Sequence, residues 1–189
     1  AMYHGDDVLM VIDQDTNEPR YFSRNLMCPS SGISYPNPEP NNFSFNSGIG
    51  IGLYKSSYNN INHNRLDFNV RGYSYKKYRR GQDSAAILVF EQCNHNIFAY
   101  NSATHSGDGF FLWAGQTTMD TGKGGCNDNV LVGNDFSYAP TNGIEVTFSR
   151  NVISGNRIFE CDHGIWGGYS FQSVISGNQF RNNRIGIAI

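Results

Sequence analysis

The chain has 189 residues, a mass of 21.1 kDa, 16% charged residues and a net charge of −2. This length is typical of one domain, and the small net charge gives no electrostatic reason to expect a nucleic-acid partner. No run of about eighteen apolar residues occurs, which excludes a membrane-spanning helix from the sequence. The 23 Asn and 21 Gly residues argue against a helical bundle, because both residue types form helices poorly and favour turns.

Residues 1–46 are predicted to form an elaborated N-terminal β segment followed by a loop. Residues 7–12 read as a strand, and Tyr21 and Phe22 begin its hairpin partner across residues 13–18. Residues 28–40 contain four prolines, and proline donates no hydrogen bond to a sheet. We therefore expect a loop there, before a second region at residues 47–189.

A six-residue pattern, Asn-x-apolar-x-Gly-Asn, recurs in the second region. Its clearest copies begin at Asn129, Asn151 and Ser173, and looser copies begin at Asn59 and Asn96. The closing Asn residues stand at positions 64, 101, 134, 156 and 178, with separations of 37, 33, 22 and 22. The basic unit is therefore 22 residues, and the two longer separations contain insertions of about 15 and 11 residues.

A second element, Gly followed by apolar-x-apolar, comes eight or nine residues after each of the last four closing Asn residues. Its copies begin at Gly109, Gly143, Gly164 and Gly186, with earlier copies at Gly50 and, with Ala for Gly, at Ala86. Short alternating strands with a turn every seven or eight residues form a coil that can bury its apolar face only by stacking on its neighbours. Asn at equivalent turns of stacked coils can then form a hydrogen-bonded ladder.

This register resembles the right-handed parallel β-helix repeat of the NosD and pectate-lyase-like superfamily, over roughly residues 47–189. The resemblance implies an all-β solenoid with coils of about 22 residues, an Asn ladder and two loop insertions. It implies no single activity, because that superfamily carries many chemistries on one scaffold. The catalytic signatures of polygalacturonases, alginate epimerases and pectate lyases are not recognisable in this sequence.

The chain stops at Arg184–Ile189, inside a predicted core strand and without a polar cap. Solenoids need capping elements that protect their terminal edges. We therefore expect this end to continue into a longer parent β-helix or to be covered by another subunit.

Alternation in the Gly-apolar-x-apolar strand places two columns of side chains outside the core. The first column is Gly52, Leu88, Phe111, Glu145, Trp166 and Ala188, and the second is Phe90, Trp113, Thr147 and Gly168. Asp108, Asn142 and His163 stand at the edge of this face. Insertions at residues 72–81 and 115–125 border the same strand, so we expect a groove there.

Aromatic rings in an open groove can stack on the C–H faces of sugars, while acidic groups bond hydroxyls. The predicted substrate-binding residues are Phe111, Trp113, Trp166, Tyr169, Lys76, Lys77, Arg79 and Arg80. The four basic residues would suit an acidic polysaccharide. The catalytic candidates are Glu145, Asp108 and His163, because acid–base cleavage of a glycosidic bond needs two carboxyls or a carboxyl with a second titrating group.

Each of these features also has a purely structural interpretation. Outward aromatic residues can be covered by a loop or a neighbouring chain, and Glu145 or the basic loop can simply be solvated. His163 can be a turn residue satisfied by the backbone. Asp108 precedes a glycine, and Asp is common in tight turns, where it bonds locally.

Metal signals are weak, and no cofactor is predicted. The pattern Asp13-x-Asp15-x-Asn17 resembles the first half of a calcium loop, but Glu18 and Arg24 stand where that loop has Gly and Glu. Calcium therefore remains only an alternative. The four Met residues are scattered, which gives no support to a methionine-rich copper site.

Cys93 and Cys126 each precede a closing Asn by eight residues, so they are expected on adjacent coils. Neighbouring strands lie about 4.8 Å apart, which allows either stacked thiols or a disulfide. Stacked core thiols are the preferred interpretation.

Two functions from different classes fit the sequence. The first is a secreted or envelope-facing carbohydrate-active β-helix, a lyase, hydrolase or epimerase, that binds an extended and perhaps acidic polysaccharide on the aromatic and acidic face. The second is a non-enzymatic surface, adhesion or assembly module that uses the aromatic face as a protein interface. We favour the first, and both an enzyme and a purely binding protein fit the sequence.

The register makes one direct prediction. Asn134, Asn156 and Asn178 should form one turn column, flanked by Ile153 and Ile175 in the core. Ile153→Asp should prevent folding, because it buries an unpaired charge. Circular dichroism and thermal unfolding measure this, and a folded Ile153→Asp protein would show that the register is wrong.

Overall fold

The computed structural model describes the backbone of residues 8–12 and 19–23 and all atoms of residues 40–70 and 84–189. Strand β1 (Val8–Ile12) pairs antiparallel with β2 (Pro19–Ser23), as the N-terminal hairpin prediction requires. The rest of the described chain is a right-handed parallel β-helix, which confirms the predicted fold class.

Each coil of the β-helix contributes to three sides. The front sheet has six parallel strands, in the spatial order β3 (Ile51–Tyr54), β5 (Ala85–Phe90), β7 (Asp108–Trp113), β9 (Asn142–Thr147), β12 (His163–Trp166) and β15 (Ile185–Ala188). The back sheet has five parallel strands, β4 (Asn60–Asn62), β6 (Ile97–Ala99), β8 (Val130–Val132), β10 (Val152–Ser154) and β13 (Val174–Ser176). The third side has the pair β11 (Arg157–Phe159) and β14 (Gln179–Arg181), continued by isolated parallel bridges from Asn42 to Arg157.

The core is a column of apolar side chains between these sides. Phe110 pairs in register with Ile87 and with Ile144, and all three side chains are fully buried. Ile153, on the back sheet, is also fully buried, and Ile175 packs against the same core. Period-two alternation in the short strands therefore sets the inside and the outside of the solenoid.

Asn side chains form a ladder at the turn after the back sheet. Asn134 donates from both its backbone N–H and its Nδ2 to Oδ1 of Asn156, at 2.9 and 3.0 Å. Asn156 bonds Asn178 in the same way, at 2.9 Å for both donors, which confirms the predicted column. The ladder extends in the other direction through Asn101 and Asn64 to Asn41, so residues before position 47 already belong to it.

A second ladder stands at the turn before the back sheet. It runs through Asn59, Asn96, Asn129 and Asn151, with Nδ2–Oδ1 distances of 2.9 to 3.0 Å. All four side chains are buried, so each amide must find its partners within the protein. The two ladders bracket β4, β6, β8 and β10 and fix their register, and Ser173 takes the place of Asn before β13, where its Oγ accepts the Asn151 N–H at 3.1 Å.

The insertion at residues 115–125 contains a short helix that the sequence analysis did not predict. Helix α1 (Gln116–Thr121) is preceded by Gly115 and ends at Gly122, which has a φ of 68° and donates its N–H to the Thr118 carbonyl at 2.8 Å. A glycine in the left-handed conformation is a common helix terminator. The helix follows the carboxyl end of β7, an inner strand of the front sheet.

Other predicted features fall outside the residues described above. They include the proline-rich loop before Pro40, the calcium-like pattern at residues 13–17, and the basic residues Lys76, Lys77, Arg79 and Arg80. Within the described ranges, no helix has the length and apolar character needed to cross a membrane.

The ladder predicts a large loss of stability for Asn134→Ala. This change removes the Asn134 side chain from the Phe98 carbonyl and from the two donors of Asn101, and it leaves Oδ1 of Asn156 with only the backbone N–H of residue 134. Each unsatisfied buried group costs about 1–3 kcal/mol, so the free energy of unfolding should fall by about 3 kcal/mol or more in urea titrations. Asn60→Ala, at an exposed position of β4, is the control and should change it little; equal effects of both changes would contradict the ladder's role.

Candidate functional site

The outward face of the front sheet carries the side chains that the alternation predicts. Its first column pairs in register from strand to strand as Gly52, Leu88, Phe111, Glu145, Trp166 and Ala188. Its second column is Tyr54, Phe90, Trp113 and Thr147. Tyr54 was missed by the sequence analysis, and Gly168 lies beyond the end of β12.

The aromatic residues of this face differ in accessibility. Trp166 is 39% exposed, whereas Phe111 is only 8% exposed. Trp113 is half-buried, and its ring packs against Phe90 at a centroid distance of 5.1 Å. Trp166 is therefore the predicted ring with the most free surface on the strands themselves.

Four side chains of different chemistry meet on two adjacent strands, and we call them the β9–β12 cluster: Asn142, Glu145, His163 and Trp166. Asn142 pairs with His163, and Glu145 pairs with Trp166. Nδ2 of Asn142 donates to Oε2 of Glu145 at 2.8 Å. The His163 ring lies edge-on to the Trp166 ring, with centroids 5.2 Å apart. A carboxylate, an imidazole and an exposed indole thus share one small surface.

His163 is oriented by residues on its other side. Its Nδ1 lies 3.1 Å from Oδ2 of Asp162, and Arg184 donates to both oxygens of Asp162 at 2.5 and 2.9 Å. The hydrogen bonds from Arg184 lower the pKa of Asp162, so Asp162 is an ionised acceptor. This favours the tautomer with its proton on Nδ1, and Nε2 then faces Nη2 of Arg184 at 3.5 Å as an acceptor. The sequence analysis did not identify Asp162 or Arg184.

The structure places Asp108 away from this surface, although it begins a front-sheet strand. Asp108 is fully buried; its Oδ1 accepts hydrogen bonds from the Thr141 hydroxyl and, at 2.8 Å, from the Asn142 N–H. Its Oδ2 is buried without a partner among the described residues. Burial raises the pKa of Asp108. Asp108 therefore anchors the start of β9, and its carboxyl does not reach a ligand on the outward face.

A cleft of about 240 Å³ lies where α1 meets the ends of the front-sheet strands, and we call it the α1 cleft. Its lining is Thr118, Gly122, Gly124, Gly125, Asn127, Phe148, Tyr169 and Phe171. Tyr169 stacks on Phe148 with centroids 4.9 Å apart. The cleft lies at the α1 side of the front sheet, and Tyr169 lines it instead of standing on the strand face. Phe148 and Phe171 were missed, although their aromatic side chains just after β9 and β12 were a visible signal.

Cys93 and Cys126 are stacked free thiols, and no disulfide joins them. This agrees with the preferred interpretation of the sequence. The Cys93 N–H donates to Sγ of Cys126 at 3.5 Å, and both side chains are buried. The hydrogen bond with Cys93 and burial both raise the pKa of Cys126. Burial also raises the pKa of Cys161 to about 11. Cys126 and Cys161 are thus core thiols.

A family model described as "Periplasmic copper-binding protein (NosD)" matches residues 82–189, more than half of the chain. The chain belongs to the NosD family. NosD membership agrees with the resemblance seen in the repeats and with the parallel β-helix. The chain has no significant match among curated proteins or among solved structures.

The NosD description names copper, but the donors of the described residues do not fit a copper site. No group of three or more His, Cys, Asp or Glu side chains converges there in a way that could hold a metal ion. Thiolates suit copper(I), and a ligand must be deprotonated. The hydrogen bond with Cys126 lowers the pKa of Cys93, but the same contact raises the pKa of Cys126, so the pair does not supply two thiolate ligands. His63 and His95 stack on Tyr100 and Tyr58 in separate columns.

The buried carboxyl of Asp108 predicts a distinctive pH dependence of stability. Because its pKa is raised above the usual 3.8, the folded protein holds this proton more tightly than the unfolded chain does. Its stabilising contribution is therefore complete below pH 3.8 and is lost as pH rises through the folded-state pKa. Asp108→Asn cannot ionise, so its free energy of unfolding relative to wild type should increase as pH rises above 3.8.

Urea unfolding at a series of pH values between about 4 and 8 measures this difference. Asp120→Asn, on the exposed face of α1, is the control and should follow the wild-type curve. Parallel curves for Asp108→Asn and wild type would mean that Asp108 does not titrate in this range.

Proposed function

We propose that this chain is a carbohydrate-binding β-helix that holds an extended polysaccharide against the outward face of its front sheet. The observation that carries the proposal is the β9–β12 cluster, in which the exposed Trp166 ring lies beside Glu145 and His163. An aromatic platform next to a carboxylate suits a ligand with apolar C–H faces and many hydroxyls.

The rigidity of the scaffold supports binding by this face. Glu145 and Trp166 stand on adjacent hydrogen-bonded strands, and Asn142 holds the Glu145 carboxylate at 2.8 Å. Groups that are already ordered lose little conformational entropy when a ligand binds. An elongated ligand can run from coil to coil, since the outward columns continue along the solenoid axis.

The same cluster supplies the two titrating groups that cleavage or epimerisation of a sugar chain needs. We assign the acid–base roles to Glu145 and to Nε2 of His163, with Asp162 as the residue that orients the imidazole. Asp108, a third candidate by sequence, has no role in this proposal because it is buried. A polysaccharide ligand and the NosD description both support a secreted or envelope location.

A second candidate function, an assembly or adhesion module, is favoured by a different surface. Phe45, Phe68, His105 and Tyr138 form a continuous stack on the turns of four coils, with centroids 4.5 to 5.1 Å apart. Phe45, Phe68 and Tyr138 are all exposed. A contiguous exposed apolar ridge is typical of a protein interface.

A glycan-array screen tests the proposal against this alternative. The wild-type protein should bind a polysaccharide, and the Trp113→Ala, Trp166→Ala double variant should bind it at least about tenfold more weakly, since one ring contact contributes on the order of 1 kcal/mol. Tyr138→Ala, on the separate aromatic stack, should bind like wild type. Glu145→Gln should then abolish any cleavage while retaining binding.

Absence of binding to every glycan, with all proteins folded by circular dichroism, would refute the carbohydrate proposal. An unchanged affinity of the double variant would refute the assignment of the site to the front sheet. Loss of self-association in Tyr138→Ala would instead favour the assembly module.

A further inference from the structure

The α1 cleft differs in chemistry from the β9–β12 cluster beside it. Among the described residues, three aromatic rings, a threonine, an asparagine and three glycines line it, and no charged side chain does. Lys123, between two of the lining glycines, is exposed and does not line the cleft. Arg150, two residues after Phe148, donates hydrogen bonds from Nε and Nη2 to the two carboxylate oxygens of Asp128, at 2.9 and 3.0 Å. The described lining of the cleft therefore carries no charge but includes polar side chains.

Two polar groups of the cleft are left for a ligand. Asn127 uses its Oδ1 to accept the Arg150 N–H at 3.0 Å, while its Nδ2 has no acceptor among the described residues. The Tyr169 hydroxyl likewise has no partner there, and Tyr169 is 80% exposed. Thr118, in contrast, donates to the Ala114 carbonyl and accepts the Gly125 N–H. Thr118 thus stabilises the α1 loop, and Asn127 and Tyr169 can donate hydrogen bonds to a ligand.

The aromatic residues form the apolar part of the cleft. Phe148 supports Tyr169 through nearly parallel stacking, at an interplanar angle of 13°, which leaves the other parts of the Tyr169 ring open. Phe171 is 47% exposed beside it. Rings that are held by their neighbours offer contact area at little entropic cost.

The glycines let the α1 loop form the opposite wall. Gly124 and Gly125 have φ values of 96° and 88°. Residues that carry a side chain rarely adopt such backbone angles. A Cβ on Gly125 would lie 2.4 Å from Nδ2 of Asn127. The absence of a side chain at this position therefore keeps the free amide accessible.

The chain connects the cleft to the β9–β12 cluster. Tyr169 follows Trp166 by three residues, and a Cβ on the intervening Gly168 would lie 3.4 Å from Nε1 of Trp166, an ordinary van der Waals distance. We therefore expect a ligand that stacks on Trp166 to reach the cleft with its next unit. The volume of about 240 Å³ suits one sugar ring rather than an oligosaccharide.

We propose that the α1 cleft is a binding subsite for one neutral sugar ring, a residue without a carboxylate or sulfate group, of the glycan held on the front sheet. This inference rests on the proposed carbohydrate function and specifies its ligand class. Apolar rings and uncharged hydrogen-bond donors fit a neutral sugar, whereas an anionic group in the cleft would lose solvation without gaining a cationic partner from the described lining. This neutral ligand differs from the acidic polysaccharide that the basic residues at positions 76–80 suggested in the sequence.

Titration calorimetry with defined oligosaccharides tests this subsite. The probes are neutral cello-, xylo- and manno-oligosaccharides on one side and oligogalacturonate and a sulfated oligosaccharide on the other. A neutral probe should bind most tightly, and the Tyr169→Ala, Phe171→Ala double variant should bind it at least about tenfold more weakly. Both residues are exposed, so this variant should fold, and Tyr138→Ala is the matched exposed-aromatic control.

The outcomes separate this inference from the proposal on which it rests. Preferred binding of an acidic probe, or unchanged affinity of the Tyr169→Ala, Phe171→Ala variant, would overturn the neutral subsite. If the Trp113→Ala, Trp166→Ala variant lost binding in the same experiment, the carbohydrate function would stand without the subsite. Failure of the folded wild type to bind any probe would refute both the carbohydrate function and the neutral subsite.

Discussion

The rest of the structure depends on the hydrogen bonds of buried asparagine amides. Asn134 and Asn156 cannot satisfy their amides with water, because both are buried, and each finds its partner in the equivalent Asn of the adjacent coil. A shift of one residue in any coil would leave several of these groups unpaired. The ladder therefore fixes coil-to-coil register, and residues beyond a 22-residue unit must leave the solenoid as insertions.

Register fixed in this way decides which side chains become neighbours. Glu145 and Trp166 are 21 residues apart in the chain, yet they are adjacent on the front sheet because β9 and β12 pair in parallel. The candidate site is thus assembled by stacking and not by any local motif. The α1 cleft is built differently: an insertion supplies one wall, and the turn aromatics Phe148 and Tyr169 supply the other.

Membership of the NosD family accounts for the scaffold more directly than for the chemistry. The strands β5 to β15 and the ladder residues from Asn96 to Asn178 lie in the matched region, whereas the donors of the described residues do not form a metal site. The outward face instead combines an exposed indole, a carboxylate and an oriented imidazole. In a solenoid, different positions carry the scaffold and the chemistry, since the inward positions maintain the stack and the outward positions are free to vary.

The sequence by itself determined the coil length, the Asn column and the inward or outward side of Phe110, Glu145 and Trp166, because these follow from a 22-residue period and from period-two alternation. Only the tertiary structure decided that Asp108 is buried, since Thr141 and Asn142 of the next coil enclose it. It also decided the contact of Asp162 with Arg184 and the shape of the α1 cleft. These features depend on distances between coils and on an insertion without a repeat, and periodicity carries no information about either.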